Sequence, residues 1–319
     1  MARTDELRLV ARVARMYFVD DIKQVDIAAR LHLSQASISR LLQRARDEGL
    51  VRISVEAPRG TFPTLEEALC TGYGLREAIV ADCGEDRDEQ ILARIGEAAA
   101  YYLETTIQPR EVIGISSWSE SLLRTVDNLH PLKRVTAESV VQILGGMGDP
   151  SVQAHANNLT QRLARLTHAT PMLLATQGVA GTVEARHALM QDPFVRATMD
   201  QFPRLTLALV GVGAVEPSKL LRDSGNVFTD HELSELSRLG AVGDICLQFF
   251  GQDGQPIDSP FDKRVIGIGP QALRQVPRVV AVAGGGRKLR ALQGALRGGL
   301  VDVLITDRFT AEKLVATTP

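Results

Sequence analysis

The stretch Lys23–Leu50, KQVDIAARLHLSQASISRLLQRARDEGL, decides how the front of this chain folds. It reads as two short helices joined by a tight turn. In the first, from Lys23 to Leu31, the apolar residues Ile27, Ala28 and Leu31 recur on one helical face. Ser34 follows the turn and is a good N-cap, because its hydroxyl can accept a first-turn backbone N–H. The second helix should then run to about Glu48, with Gly49 stopping it. Its apolar face holds Ile38, Leu41, Leu42 and Ala45; its free face holds Ala36, Arg40 and Gln43, flanked by Ser37, Ser39 and Arg44. A solvated amphipathic helix would explain that helix taken alone. The preceding helix, the short turn, the Ser cap and the arginines together point to a helix-turn-helix. One helix fits a DNA major groove, where arginine can bind guanine O6 and N7 bidentately. Gln35, Ala36, Ser39 and Arg40 are the candidate base-edge residues, and Ser37 beside them is a further DNA-binding candidate. Arg44 and Arg46, further along, are candidate phosphate contacts, and the implied partner is double-stranded operator DNA.

These residues also carry a resemblance. Gln24–Val25–Asp26–Ile27–Ala28, then Leu33–Ser34, then Ile38–Ser39–Arg40–Leu41–Leu42, then Gly49–Leu50–Val51 resemble the DNA-binding head of the SorC family of bacterial sugar-binding transcriptional regulators. Ser39–Arg40–Leu41–Leu42 and the closing Gly–Leu–Val are the more specific parts.

Around this head, 319 residues with 45% apolar and 23% charged composition describe an ordinary globular chain of about two domains. Aromatics make up only 4%, so the core must be built from Ala, Val, Leu and Ile. No apolar run approaches the length of a membrane span, and the N-terminus has no secretory h-region, so a cytoplasmic protein without membrane contact is expected. Cys70, Cys83 and Cys246 form neither a metal motif nor a disulfide framework, and reduced buried thiols are expected. Residues 1–60 hold 11 Lys+Arg against 8 Asp+Glu, and the rest holds 25 against 30. The small basic excess agrees in sign with phosphate contacts at the head.

Leu7–Phe18 predicts a further helix with Leu7, Val10, Ala11 and Ala14 on one face, completing a three-helix core. Val51–Val55 alternates apolar and polar, the start of a wing strand. Pro58–Arg59–Gly60 and Pro63 mark a linker, which divides the chain into a DNA-binding domain, 1–57, and an effector domain, 58–319.

Beyond the linker, apolar strand candidates alternate with helices. The strands are expected at Ala78–Ala81, Val112–Ser116, Ser139–Leu144, Met172–Thr176, Leu205–Val212, Ile245–Phe250, Val279–Ala283 and Val301–Thr306. The helices are expected at Glu89–Thr105, Ser119–Asn128, Gln153–His168, Glu184–Phe202, His231–Leu239, Lys288–Arg297 and Thr310–Ala316. Near-continuous apolar runs suit strands buried on both faces. The whole predicts an α/β class: a winged helix-turn-helix followed by a doubly wound, mostly parallel sheet domain. Ligands in such sheets bind beyond the carboxyl ends of the strands. Four loops there are distinctive: Ser116–Ser117–Trp118–Ser119–Glu120–Ser121, Gly145–Gly146–Met147–Gly148, Gly211–Val212–Gly213 and Gly284–Gly285–Gly286–Arg287–Lys288. Each alone is explained by tight-turn geometry. Hydroxyls at a helix start, glycines that admit close backbone approach, and a terminal lysine together suit a small phosphorylated ligand.

This half resembles the SorC effector domain in Gly211–Val212–Gly213–Ala214, Gly240–Ala241–Val242–Gly243–Asp244–Ile245, Ala283–Gly284–Gly285 with Lys288, and Ala295–Asp302 with Thr306–Asp307. The resemblance implies a fold related to sugar-phosphate isomerases, a phosphorylated sugar or polyol effector and a homotetramer built as a dimer of dimers. Carried over by position, Ser116, Ser117, Ser119 and Ser121 would line a phosphate site. Gly145, Gly146, Asn157, Gln177, Gly211, Asp244 and Lys288 would surround the sugar.

Catalytic readings are weaker. His231–Glu232 starts like a zinc-protease helix, but the second histidine is missing, and Thr229 or Asp230 caps an ordinary helix. Gly114–Ile115–Ser116 lacks the second glycine of a nucleophile elbow, and Gly284–Lys288 lacks Walker spacing. His155, His168 and His187 show no ligand spacing. No metal or cofactor is expected. Asp244 and Lys288 could act as an acid–base pair, so an isomerase-like enzyme with an added DNA-binding head is the alternative. A scaffold with no small ligand is the third reading.

Overall fold

Three helices make the first unit: α1 Ala2–Phe18, α2 Gln24–Leu31 and α3 Gln35–Asp47. They belong to a computed structural model that describes residues 2–52, 57–133 and 136–318, with the side chains of 2–4 and 151–155 left out. The chain divides into two units, Met1–Pro58 and Arg59–Pro319. In the first, Val10, Val13 and Ala14 of α1 pack with the buried Ile27 and Ala28 of α2 and Ile38, Leu42 and Ala45 of α3. Ala11, expected on the inner face, is exposed; Val13 takes that place, because the spacing Val10–Val13–Ala14 follows one helical stripe. His32 closes α2 in the left-handed conformation at φ 52°, and the Ser34 hydroxyl accepts the Ser37 N–H at 3.1 Å to start α3. Residues 53–55 of the expected wing strand lie outside the described residues.

Among the described residues of the second unit there are ten strands. They are β1 Glu77–Ala81, β2 Val112–Ile115, β3 Ser139–Gln142, β4 Thr170–Met172, β5 Leu207–Val210, β6 Gly213–Ala214, β7 Gly243–Ile245, β8 Gln248–Phe250, β9 Val279–Val282 and β10 Val303–Asp307. Seven form one sheet in the order β1-β10-β9-β5-β2-β3-β4, parallel throughout. Alternate side chains feed two cores. Ile113, Ile115, Leu207, Leu209, Val280, Val282, Val303 and Ile305 meet the helices Asp88–Thr106, Glu120–Asn128 and Pro150–Leu166 on one face. Val141, Ala208, Val210, Val279, Ala281 and Leu304 meet Pro63–Tyr73, Leu289–Arg297 and Arg308–Val315 on the other. Both faces are dry, which is why the strands read as continuous apolar runs.

The connections give the sheet a switch point. From β2 the chain moves outward through β3 to the β4 edge, then returns to β5 on the other side of β2 and continues to β9 and β10. The crevice at the carboxyl ends of β2 and β5 is therefore the place where ligands enter such folds.

Four sequence expectations need correction. Ile245–Phe250 is not a strand of the main sheet but the turn and second arm of a hairpin, β7–β8, in a separate antiparallel sheet with β6. Glu184–Phe202 breaks into Val183–Met190 and Pro193–Met199, because Asp192 caps the second helix and Pro193 opens it. Of the expected strand Met172–Thr176 only Met172 is in a strand, as the last residue of β4, which begins at Thr170. Pro63, read as linker, is the first residue of a helix.

Candidate functional site

After β2 the chain turns through Ser116–Ser119 into the helix Glu120–Asn128. Ser119 is its N-cap: its Oγ accepts the Leu122 N–H at 3.4 Å and lies 3.0 Å from the Ser121 Oγ. First-turn N–H groups have no acceptor inside their own helix, so those of Glu120 and Ser121 need one from outside it. The neighbouring hydroxyls brace this turn. Ser121 donates to the Val282 carbonyl at 2.6 Å and Ser117 to the Leu144 carbonyl at 2.6 Å, while the Trp118 indole N–H donates to Gly145 at 3.0 Å. The turn is thereby pinned to the ends of β9 and β3.

β5 ends beside it in Gly211–Val212–Gly213. A Cβ on Gly211 would stand 2.6 Å from the Ser119 Oγ, and one on Gly213 would stand 2.1 Å from Asp244 Oδ1. Both glycines are needed because β5 runs between the serine turn and the β7 carboxylate. Asp244 is buried, and its Oδ2 accepts the Leu247 N–H at 2.9 Å across the β7–β8 turn. That turn is made by Cys246 and Leu247 at φ 55° and 62°, a conformation that non-glycine residues rarely adopt. Burial pushes the Asp244 carboxyl up to about 6, against the pull of the Leu247 N–H and of Lys288. The buried Cys246 thiol is pushed up to about 12 by the same desolvation.

Lys288 enters from the loop after β9. It is half-buried and has no carboxylate within 4 Å among the described residues. Burial holds its ammonium below the usual lysine range; Arg287 pushes the same way, while Asp244, Glu120 and Asp88 pull back.

These loops enclose a cavity of about 260 Å³. Ser116, Ser119, Gly211, Asp244 and Lys288 all line it. The other six sequence candidates do not. Ser117 and Ser121 are spent on the carbonyls just described. Gly145 and Gly146 pack against Gln177 and Gln142, and Gln177 bridges to Gly146 and Met147. Asn157 sits half-buried on Pro150–Leu166, away from the cavity lining. Sequence reading missed the opposing charges that do line it: Asp88, Glu120, Glu216, Lys219 and Arg287. Glu120 and Arg287 lay inside motifs already noticed. Asp88, Glu216 and Lys219 carried no local signal, since distant elements bring them in. The segment Ala214–Leu221 supplies another wall through Ala214, Glu216, Pro217, Ser218, Lys219 and Leu221.

On the head, α3 exposes Gln35, Ala36, Ser39 and Arg40, with Ser37 half-buried. Among the described residues Arg40 donates only to the Ser37 hydroxyl, at 3.4 Å. Arg44 pairs with Glu6 at 3.2 Å and Glu48 at 3.5 Å, and Arg46 lies over the Phe18 ring at 5.6 Å from its centroid. Arg40 is thus the least engaged of the three arginines.

Residues 61–316 match the family described as "Putative sugar-binding domain". The chain belongs to the SorC family of transcriptional regulators. Over 319 residues it is 30% identical to the sorbitol operon regulator of Klebsiella pneumoniae, covering 99% of this chain and 100% of that one. It is 31% identical to the deoxyribonucleoside regulator of Bacillus subtilis strain 168, covering 98% of each. The crystal structure of the full-length Klebsiella regulator SorC superposes with a TM-score of 0.73 at 28% identity, over 97% of this chain and 98% of that one. This SorC-family chain is a transcriptional regulator, and nothing in these relatives supports the isomerase alternative. Among the described residues no helix is long and apolar enough to cross a membrane.

Proposed function

We propose that this SorC-family protein binds operator DNA through α3 and that a phosphorylated sugar or polyol in the β2–β5 crevice controls that binding. The observation that carries the reading is the shared cavity: the start of the helix Glu120–Asn128, the hydroxyls of Ser116 and Ser119, two glycine turns and Lys288 border one small space. The phosphate would take the Glu120 N–H, the Ser119 hydroxyl and Lys288. Charge-assisted bonds of that kind are the strong ones. The carboxylates Asp88, Glu120, Glu216 and Asp244 have no role toward an anion, but they are good acceptors for the hydroxyls of a polyol. Ser117 and Ser121 act at one remove, by holding the turn. The protein would work as a dimer of dimers in the cytoplasm, each head taking one half-site.

Two sites on separate units can influence each other only through a coupling free energy, typically about 1–3 kcal/mol or roughly 5–150-fold in DNA affinity. The test begins with a thermal-shift screen of phosphorylated sugars against their unphosphorylated counterparts. A true effector at 100 times its dissociation constant adds about 2.7 kcal/mol of native stability. Operator affinity is then read by fluorescence anisotropy with and without the hit. Lys288→Ala should cost about 1.5–3 kcal/mol in effector binding, and Ser119→Asp should abolish it by placing a fixed negative charge beside the phosphate. Both variants should bind operator normally without effector. An undiminished response in both would move the effector site elsewhere.

A further inference from the structure

Asp307, the last residue of β10, is completely buried, yet no arginine or lysine lies within 4 Å of its carboxylate among the described residues. Its neighbour Arg308 pairs with Asp82 instead. One oxygen, Oδ1, accepts the Thr310 N–H at 2.9 Å and caps the helix Arg308–Val315. Capping asks for no more than this, and a serine or threonine would do it without burying a charge. The second oxygen goes to the neighbouring loop. Oδ2 accepts the Gly285 N–H at 2.9 Å and the Thr310 hydroxyl at 2.6 Å, and the Gly285 N–H reaches the Thr310 Oγ1 at 2.8 Å. The loop is shaped to receive it. A Cβ on Gly284 would stand 2.2 Å from Asp307 Oδ2, and Gly285 sits at φ 91°. The Gly285 carbonyl in turn accepts the Lys288 N–H at 3.0 Å. Hydrogen bonds of ordinary length through Gly285 therefore join the buried carboxylate to the backbone of Lys288.

We propose that Asp307, with Thr310, is a positioning residue of the effector site: a buried bracket that fixes the Gly284–Lys288 loop and so sets where the Lys288 ammonium stands in the cavity. The role rests on the reading that Lys288 meets the effector, but the bracket itself is measurable on the protein alone. Asp307→Asn is the sharp substitution. It keeps size and shape, but an amide has one acceptor oxygen where the native group uses two. Its NH2 must then face the Thr310 N–H or the Gly285 N–H, donor against donor.

The experiment is site-resolved amine labelling of the full-length protein across pH, with mass spectrometry giving the titration midpoint of each lysine. Lys288 is watched by Asp244, Glu120, Asp88 and Arg287 from the surrounding elements, so its midpoint reports its place among them. In the native protein it should lie below that of Lys219. In Asp307→Asn it should rise by about one pH unit as the loop loosens and water reaches the amine, with Lys219 unchanged. Thr310→Val, which keeps the cap but removes one of the two acceptors of Gly285, should give a smaller rise in the same direction. It serves as the deciding variant if Asp307→Asn does not fold. A folded variant with a lowered melting temperature and an unmoved Lys288 midpoint would reduce Asp307 to a structural cap and overturn the proposal. Failure of Lys288→Ala to affect effector binding would instead count against the site reading and leave the bracket standing.

Discussion

A carboxyl group raised by burial is more easily protonated in the folded protein than in the unfolded chain. For Asp244 this means that folding is favoured most below the unfolded value of 3.8, and that the contribution is lost as pH rises through about 6. At pH 8 the ionised carboxylate is a burden on stability on the order of 2–3 kcal/mol, a shift of about two units converted at about 1.4 kcal/mol each. Asp244→Asn retains an acceptor for the Leu247 N–H. It should therefore melt higher than the native protein at pH 8, with the difference shrinking to nothing near pH 4. Calorimetric melts at the two pH values check this, and an equal or lower melting temperature for Asp244→Asn at pH 8 would sink it. The arginines of α3 separate at the same scale. Arg40 has no carboxylate partner among the described residues, whereas Arg44 already pairs with Glu6 and Glu48. Arg40→Ala should cost about 1–3 kcal/mol on the specific operator, and Arg44→Ala should weaken specific and random DNA alike. Equal losses on both kinds of DNA in both variants would show the roles wrongly assigned.

At the scale of elements, helix starts are where the chain spends its short polar side chains. Ser34, Ser119, Thr182, Asp192, Ser218, Thr229 and Asp307 each cap a helix with their own side chain. Thr229 and Glu232 complete a capping box, and Glu232 also pairs with Arg264, itself over the rings of Phe228 and Phe261. Ser34→Ala removes the hydroxyl that starts α3 and should lower the stability of the head by about 1 kcal/mol. Hydrogen exchange of α3 amides should show it, with the amides of the second unit unaffected. Uniform loss of protection in both units would mean that the two unfold together. The β7–β8 hairpin shows the opposite economy. Its two turn residues hold positive φ without glycine, and Asp244, Leu247 and the surrounding core keep them there.

The whole second unit has a stability end and a ligand end. At the amino ends of the strands, Glu111 and Arg278 form an ion pair at 2.7 Å, both nearly buried, and Arg278 also donates to the Thr106 carbonyl at 3.3 Å. At the carboxyl ends lie the cavity, the buried Asp244 and Lys288, which has no carboxylate within 4 Å among the described residues. Removing one partner of a buried pair leaves the other unsatisfied, so Arg278→Met should cost about 3–5 kcal/mol of stability while leaving the effector affinity of the remaining folded protein unchanged. Denaturant melts and an effector titration separate the two effects; a large affinity change would show that the two ends are mechanically joined. Assembly belongs to this scale as well. Light scattering at micromolar concentration with operator present should find a tetramer, and a monomer under those conditions would contradict the dimer-of-dimers reading.

Local periodicity determined much of this protein without any structure. The three helices of the head, the Ser34 cap, the alternation of strand and helix, and the loops that carry Ser116, Ser119, Gly211 and Lys288 are all visible in short stretches of chain, whereas Asp244 is reached only through the family resemblance. Their signals are local: a 3.6-residue apolar stripe, a hydroxyl before a helix, a glycine after an apolar run. Tertiary structure decided the rest. Ile245–Phe250 is as apolar as any central strand, and only its pairing with β6 and the left-handed turn at Cys246–Leu247 make it a hairpin. Ser117 and Ser121 look like their neighbours in sequence, yet carbonyls of β9 and of the loop after β3 take their hydroxyls out of the cavity. Asp88, Glu216 and Lys219 come to the site from separate elements. The physical reason is the same in each case: hydrogen-bond partners and burial are set by contacts between residues far apart in the chain, and composition along a single stretch does not encode which of two identical hydroxyls will find a protein acceptor first.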